Sequence, residues 1–314
     1  MFDAAGLRVM RAIAEEGSFT AAAHSLGYTQ PAVSQMVRRL EQRTGTALVE
    51  RIGRSVRLTE AGALLARRAA EILDRIEEAE AEVSAIAGLQ AGRVRLMAFP
   101  SSSATLVPRA LARLRASHPA VTVQFSEAEP PESLAALRAG VVDLAVAFSY
   151  EGIDPGRGED DLNGLVVRDV LTDPVMLVLP RDHELAGDDE VDLAALSGDR
   201  WIAGCPRCRG HLLLLAHEAG FDPDVTFETE DYVAVLGLVA AGLGVALVPR
   251  LILSTVSHPD VVVVPVSPPS RRVVQVITTP DLQRVPAVAA TLEALCASAA
   301  ELRSAEAAVT AGTP

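Results

Sequence analysis

Gln30, Ser34 and Gln35 fall within one short stretch just behind Thr29. An amide donates and accepts from one group, so it can pair with a base edge, and short side chains suit a groove that admits a single helix. Cys205-Pro206-Arg207-Cys208 is a second candidate, because thiols at that spacing serve dithiol exchange or half of a metal site. His211 and His217 follow it, yet a second clear ligand pair is missing, and a lone CxxC does not complete a tetrahedral zinc centre. Three readings stay open: two reduced thiols packed at a helix start, a redox or metal sensor, and ligand contact through Cys205. Ser101-Ser102-Ser103 is the third candidate, since hydroxyls and N–H groups at a helix start can hold an anion, although a serine run more often caps its own helix. No P-loop, Ser–His–Asp order or paired carboxylate motif occurs elsewhere. No catalytic residue, cofactor or metal is therefore expected, and His24, His118, His183 and His258 read as surface or turn residues.

The amides need a helix to carry them. Leu7, Met10, Ile13 and Ala14 are spaced for one face of a first helix that Gly17 stops, and Ser18 caps a short second helix ending at Gly27. Thr29 can cap a third helix with Pro31 in its first turn, running to about Thr44. Val33, Met36, Val37 and Leu40 form its apolar stripe, while Gln30, Ser34, Gln35 and Arg38 point elsewhere. Two helices joined by a tight turn, the second opening with amides, are the helix-turn-helix arrangement. Leu48 to Leu58 then reads as a two-stranded wing with Gly53 at its tip, placing Arg51, Arg54 and Arg57 where phosphates or a minor groove would lie.

Charge supports this placement. The chain of 314 residues has a net charge of −13, and all 28 basic residues are Arg. Nucleic acid repels so acidic a surface as a whole, but residues 1–58 carry eight Arg against five acids, the only basic part of the chain. The 49% hydrophobic content fits a folded protein with a large core. Three cysteines make no disulfide framework, no secretion signal is visible, and the most apolar stretch, Val233 to Val248, is too short to span a bilayer, so a cytoplasmic location is expected.

The ordered pieces Gly17-Ser18-Phe19-Thr20-Ala21-Ala22-Ala23, Leu26, Thr29-Gln30-Pro31-Ala32-Val33-Ser34, Leu40-Glu41, Gly45, Leu48, Arg51 and Leu58-Thr59-Glu60-Ala61-Gly62 resemble the LysR-type transcriptional regulators. Val49 departs from that pattern, which usually has an aromatic there. The resemblance implies double-stranded DNA as partner, with Ser18, Thr29, Gln30, Pro31, Ser34, Gln35, Arg38, Arg51, Arg54 and Arg57 at the interface. From Thr59 to about Leu89, Leu65, Ala69, Ile72, Ile76, Ala79, Val83 and Ile86 step by the spacing of an a/d seam. The resemblance makes this linker helix a dimer contact, with a homotetramer beyond it, and two-fold symmetry suits a pseudo-palindromic operator.

From Arg93 strands alternate with helices, which predicts a mostly parallel sheet: Val94–Phe99, a helix near 106–116, Val121–Phe125, a helix near 132–139 and Asp143–Ala147. A second block runs through Pro174–Leu179, Trp201–Ala203, a helix from about Arg209 to Ala219, Val225–Thr229, a helix over 232–241 and Val245–Val248. The chain then returns through Val273–Thr278 and a final helix from about Val285 to Leu302, with crossovers near 164–168 and 266–271. Such two-lobed domains bind small molecules in their cleft. The expected fold is thus an N-terminal all-α winged helix-turn-helix over 1–58 with a long linker helix over 59–92, then a C-terminal α/β two-lobed periplasmic-binding-protein-like effector domain over 93–303. Lobe one takes about 93–165 and 268–303, lobe two about 166–267, and 304–314 form a frayed tail. A small-molecule effector, which can be an anion, is expected against Ser101, Ser102, Ser103, Phe148, Gly204 and Cys205, while Asp231 caps a helix and Glu230 ends a strand at the surface. The competing class is a redox- or metal-sensing regulator, or a dithiol oxidoreductase, using Cys205 and Cys208; an enzyme needs no basic reading helix, and this chain has one.

Overall fold

The computed structural model describes residues 2–52, 55–150 and 161–311 and divides into two compact units, residues 1–85 and 86–314. In the first, α1 (Ala4–Glu16) starts where the Asp3 carboxylate accepts the Gly6 N–H at 2.8 Å and ends at Gly17 with φ of +65°. Ser18 Oγ accepts the Ala21 N–H at 3.1 Å and starts α2 (Phe19–Ser25). Thr29 precedes α3 (Gln30–Thr44) without a side-chain cap bond, so Pro31 in the first turn does the presetting there. Val9, Met10, Ile13, Phe19, Ala22, Val33, Val37, Leu40 and Leu48 close one core among these helices.

The wing is an antiparallel pair, β1 (Val49–Ile52) and β2 (Ser55–Leu58); the expected tip at Gly53 and Arg54 lies outside the described residues. Glu41 anchors it by accepting the Leu48 N–H at 2.9 Å. Thr59 ties it to α4 (Glu60–Ala87), donating to Ala47 O at 2.8 Å and accepting the Gly62 N–H at 3.1 Å. A Cβ on Gly62 would stand 1.9 Å from Leu48 O, so only glycine lets α4 lie against the wing strand.

The expected seam on α4 divides. Leu65, Ala69 and Ile76 pack with Leu7 and with Leu73, a residue outside the expected spacing, so this part serves the unit's own core. Ile72, Val83 and Ile86 remain exposed.

The second unit opens with β3 (Gly92–Ala98), α5 (Pro100–Ala104), α6 (Leu106–Ser117), β4 (Val121–Glu127), α7 (Pro130–Arg138) and β5 (Leu144–Tyr150). β6 (Val166–Pro180), β7 (Val191–Asp192), β8 (Arg200–Ala203), α8 (Pro206–Glu218), β9 (Asp224–Glu228) and α9 (Tyr232–Ala240) follow. The chain closes with β10 (Ala246–Pro249), α10 (Arg250–Leu253), β11 (Val261–Thr278) and α11 (Pro286–Ala311). Among the described residues the main sheet runs β10-β6-β11-β5-β3-β4, with β7 paired to β11 and β8 to β9. Leu144, Val146 and Phe148 point into the cluster under α6 and α11, while Ala145 and Ala147 face the cluster under α7, the double-sided burial of a central strand.

Four expectations need correction. The main sheet is mixed, not mostly parallel: β3 is parallel to β4 and β5, whereas β11 runs antiparallel to β5 and β6, and β6 to β10. The cause is that both connections between the lobes are long strands paired with each other; β6 begins at Val166, well before Pro174, and register with β11 shifts between Pro265 and Ser270 and again between Val274 and Gln275. Helix α8 begins three residues earlier than expected, because Cys205 caps it and Pro206 fits its first turn. Helix α11 continues to Ala311 instead of fraying from 304, consistent with its Ala- and Glu-rich composition.

Candidate nucleic-acid interface and effector cleft

On α3 the apolar face is spent on the core, which leaves Gln30, Gln35, Arg38 and Arg39 exposed, with Tyr28 exposed just ahead of the helix. Arg38 and Arg39 make no ion pair among the described residues. Ser34 is buried, and its hydroxyl accepts from Gln30 Nε2 at 2.9 Å, so it fixes the amide that reaches outward. Thr29 and Pro31 are exposed at the helix start, and Ser18 is half-buried as a cap. Arg57 is held across the wing by Glu50, with Nε donating to Oε2 at 3.1 Å; Arg54 lies outside the described residues, as does the side chain of Arg51. Tyr28 and Arg39 were not singled out from the sequence, although both flank the matched motif.

In the second unit the strand ends converge on a buried cation. Arg272 and Asp173 are register partners on β11 and β6, and Arg272 also stands opposite Tyr150 on β5. Arg272 Nε and Nη2 each reach Asp173 Oδ2 at 2.8 Å, and Nη2 donates to Ser101 Oγ at 2.6 Å. The other carboxylate oxygen of Asp173 accepts the Leu251 N–H of α10 at 2.8 Å. The guanidinium lies 4.6 Å from the Phe148 ring centre and 5.0 Å from that of Phe99, positions that favour a cation over an aromatic face. Both charges are fully buried, and among the described residues Arg272 Nη1 has no hydrogen-bond partner.

The expected effector residues surround this centre. Ser101 and Ser102 are fully buried; Ser102 Oγ donates to Phe99 O at 2.9 Å and Ser103 Oγ to the same carbonyl at 3.0 Å, so these hydroxyls are spent locally. Phe148 is buried edge-on to Phe99 at 4.8 Å, with Arg207 Nη1 donating to its carbonyl at 2.8 Å. Gly204 leaves room for the α8 turn, since a Cβ there would stand 3.3 Å from Cys208 Cβ. Cys205 caps α8 and packs, with Leu251, into the same apolar cluster as Phe99, Phe148 and Tyr150, which joins elements of both lobes. Asp231 Oδ1 accepts the Val233 N–H at 2.8 Å as a helix cap, and Glu230 is exposed beside it.

Several groups at this centre escaped the sequence reading, namely Arg272, Asp173, Glu129, Tyr150 and Tyr232, and His211 was weighed only as a metal ligand beside the CxxC. The signal lay in parity, because Arg272 shares a strand face with Val274 and Val276, both fully buried. His211 stacks on Tyr150 at 3.7 Å and bonds Ser270 Oγ through Nε2 at 2.6 Å, and burial pushes its pKa down to about 4. Burial, with Cys208 and Glu230 nearby, raises the Glu129 carboxyl to about 7. Among the described residues no cluster of three or more His, Cys, Asp or Glu could hold a metal ion, and no helix is long and apolar enough to cross a membrane.

A winged helix-turn-helix followed by a two-lobed α/β domain is the layout of a DNA-binding regulator governed by a small molecule. Residues 5–63 match the family model described as a bacterial regulatory helix-turn-helix protein of the lysR family, and residues 87–300 match the LysR substrate binding domain. The chain belongs to the LysR family and is a transcriptional regulator with an effector-binding domain. It is 30% identical over 266 residues to the uncharacterized HTH-type transcriptional regulator YfeR of Shigella flexneri, covering 83% of each chain. Its fold is similar to full-length OxyR C199D from Pseudomonas aeruginosa, with a TM-score of 0.76 and 21% identity over 95% of this chain and 100% of that one. It is also similar to full-length CbnR complexed with its target DNA, with a TM-score of 0.59 and 23% identity over 95% and 100%.

Proposed function

We propose that the protein binds a pseudo-palindromic operator as a homodimer or homotetramer in the cytoplasm, and that a small anionic molecule in the cleft between its lobes sets its activity; it catalyses no reaction. Helix α3 carries the reading. Its stripe of Val33, Val37 and Leu40 is consumed by the core, so Gln30, braced by Ser34, and Gln35 are exposed toward base edges with Arg38 and Arg39 behind them for phosphates. The two-fold arrangement rests on Ile72, Val83 and Ile86, apolar residues that α4 leaves exposed. The lobe boundaries fall near Val175 in β6 and between Pro265 and Ser270 in β11, where the two strands change register. Support for an anionic effector comes from the buried Arg272 beside Ser101, whose Nη1 lacks a protein partner among the described residues.

The test begins with an operator recovered from random DNA by in vitro selection with the full chain. Gln30→Ala should lower the preference for that operator over random sequence by about 1–3 kcal/mol. Arg38→Ala should weaken both alike and reduce the salt slope by about one. Gel shifts at two salt concentrations measure both, and an undiminished preference in the Gln30 variant removes α3 as the reader.

A further inference from the structure

A cavity of about 410 Å³ opens where the two lobes meet. Pro100, Ala104 and Glu127 line it from the first lobe, Glu230, Asp231 and Tyr232 from the second, and Val233, Ile252 and Val256 supply its apolar side. Its charge is of one sign. Asp231 uses Oδ1 to cap α9, whereas Glu127 and Glu230 are exposed, and among the described residues neither makes a side-chain hydrogen bond or an ion pair. A ligand carrying only a carboxylate meets like charge here, although the buried cation of the same centre calls for an anion.

Two groups beside the cavity lack partners. Glu129 stands at the N-cap position of α7 but, unlike Asp3 and Asp231 at theirs, makes no cap bond, and among the described residues its buried Oε2 has no hydrogen-bond partner. Arg272 uses Nε and Nη2 for Asp173 and Nη2 again for Ser101. In the planar guanidinium fork the unpartnered Nη1 therefore shares the edge turned toward α5, the helix whose Pro100 and Ala104 wall the cavity. Tyr232 adjoins both, lining the cavity and lying within the field of Arg272. Glu129 feels Glu230 at the rim as a like charge and Arg272 as an opposite one. A buried donor and a buried carboxylate oxygen, each left unpaired, cost free energy until something completes both.

We infer that the effector is an amino-carboxylate with an apolar body: its carboxylate takes Arg272 Nη1 beside Ser101, its ammonium group is held by Glu129 and Glu230, and its body lies along Val233, Ile252 and Val256. The inference rests on the anionic-effector reading above and narrows it to molecules that carry both charges. An ammonium group has three donors and no acceptor, so it can serve Glu129 and a rim carboxylate together. The Glu129 carboxyl, raised to about 7 by burial first and then by Cys208 and Glu230, is half protonated at neutral pH. The groups facing it are Cys205 and Cys208 on α8, Glu230 after β9, Tyr232 on α9 and Arg272 on β11. An ammonium beside it favours the charged form, so an amino-carboxylate should drive a proton off on binding, whereas a bare carboxylate adds like charge and should draw one on.

Isothermal titration calorimetry of the full-length protein at pH 7 tests this with matched probes: L-leucine, L-methionine and L-phenylalanine, each of the same acids without its amine, and each of the same amines without its carboxylate. At least one of the amino acids should bind, and removing either of its charges should weaken it by about tenfold or more, the worth of one charge-assisted hydrogen bond. Titrations in PIPES and in Tris, which differ in ionisation enthalpy, should show release of about half a proton per amino acid bound. Glu129→Gln should abolish that release and weaken the amino acid by about tenfold while leaving the bare acid's affinity undiminished, a split that a merely structural role would not give. Circular dichroism confirms that the variant is folded. A bare acid that binds as tightly as its amino acid, or proton uptake with the amino acid, overturns the inference and leaves the anionic reading standing. An amine that binds as tightly as its amino acid overturns both. Silence from all three amino acids overturns the inference as well, and benzoate and succinate then test the anionic reading separately.

Discussion

Replacing Asp173 tests whether the centre of the second unit is an ion pair held by register. Both side chains are fully buried, with contacts of 2.8 Å, and the aspartate also holds the Leu251 N–H. Opposite charges about 4 Å apart attract by roughly 4 kcal/mol at an effective dielectric near 20. Asp173→Ala deletes that attraction but leaves the guanidinium in its apolar setting, so the cost should be about 3–5 kcal/mol, plus about 1 kcal/mol for the orphaned amide. For a unit of this size that lowers the melting temperature by about 6–20 °C. Removing both charges, with Asp173→Leu and Arg272→Met together, should restore most of the loss, because apolar replacement of a buried pair is often neutral. Trp201 is the single tryptophan and fully buried in the second lobe, so urea unfolding followed by its fluorescence reads this unit directly. A single variant that loses less than about 1 kcal/mol, or a double variant no better than the single, refutes the reasoning.

Three further outcomes follow from other contacts. His211 is held neutral in the fold with a pKa near 4 against 6.5 for the free side chain. The unfolded chain therefore binds a proton first as pH falls, and stability should drop by up to about 3 kcal/mol between pH 6.5 and 4; a His211→Gln variant with the same slope in urea titrations would remove this cause. Gly62→Ala should cost about 3 kcal/mol or more by driving a Cβ into Leu48 O, seen as a lower unfolding midpoint of the first unit, and a neutral result would mean that α4 does not abut the wing so closely. Val83→Glu with Ile86→Glu should reduce the size measured by light scattering while circular dichroism stays unchanged, since both residues are exposed in the monomer; an unchanged size would place the dimer contact elsewhere.

The first unit was legible because its instructions are local. Gly17, Ser18, Pro31 and Gly45 mark helix ends in the sequence itself, and each does so in the structure through a positive φ, a cap bond or a first-turn position. The burial of Ser34 was less visible, because periodicity assigns a face but not how far a neighbouring amide folds back over it. In the second unit the elements were legible and their pairing was not. Val166 to Asp173 is too polar to read as a buried strand, and it becomes one because β11 runs alongside it. The same pairing sets Arg272 opposite both Asp173 and Tyr150, residues 99 and 122 positions away, so nothing near Arg272 in the sequence announces a buried charge.

The cleft and the strands that cross it therefore cannot be separated. A one-residue slip of β11 against β6 would turn Arg272 to the opposite face and leave Asp173 without its cation. Register is fixed on one side of the break by Val274 and Val276 in the first lobe's core, and on the other by Val264 in the second's. Within that break Val266 and Ser267 pair with β7, which leaves Pro268 and Pro269 as the residues where the two lobes can change their relation without either losing its core. Ser270, at the edge of that break, is bonded to His211 on α8, the helix that also carries Cys205 and Cys208. A change at the start of α8, such as a bound anion, thus acts beside the longer of the two breaks in the β11–β6 ladder.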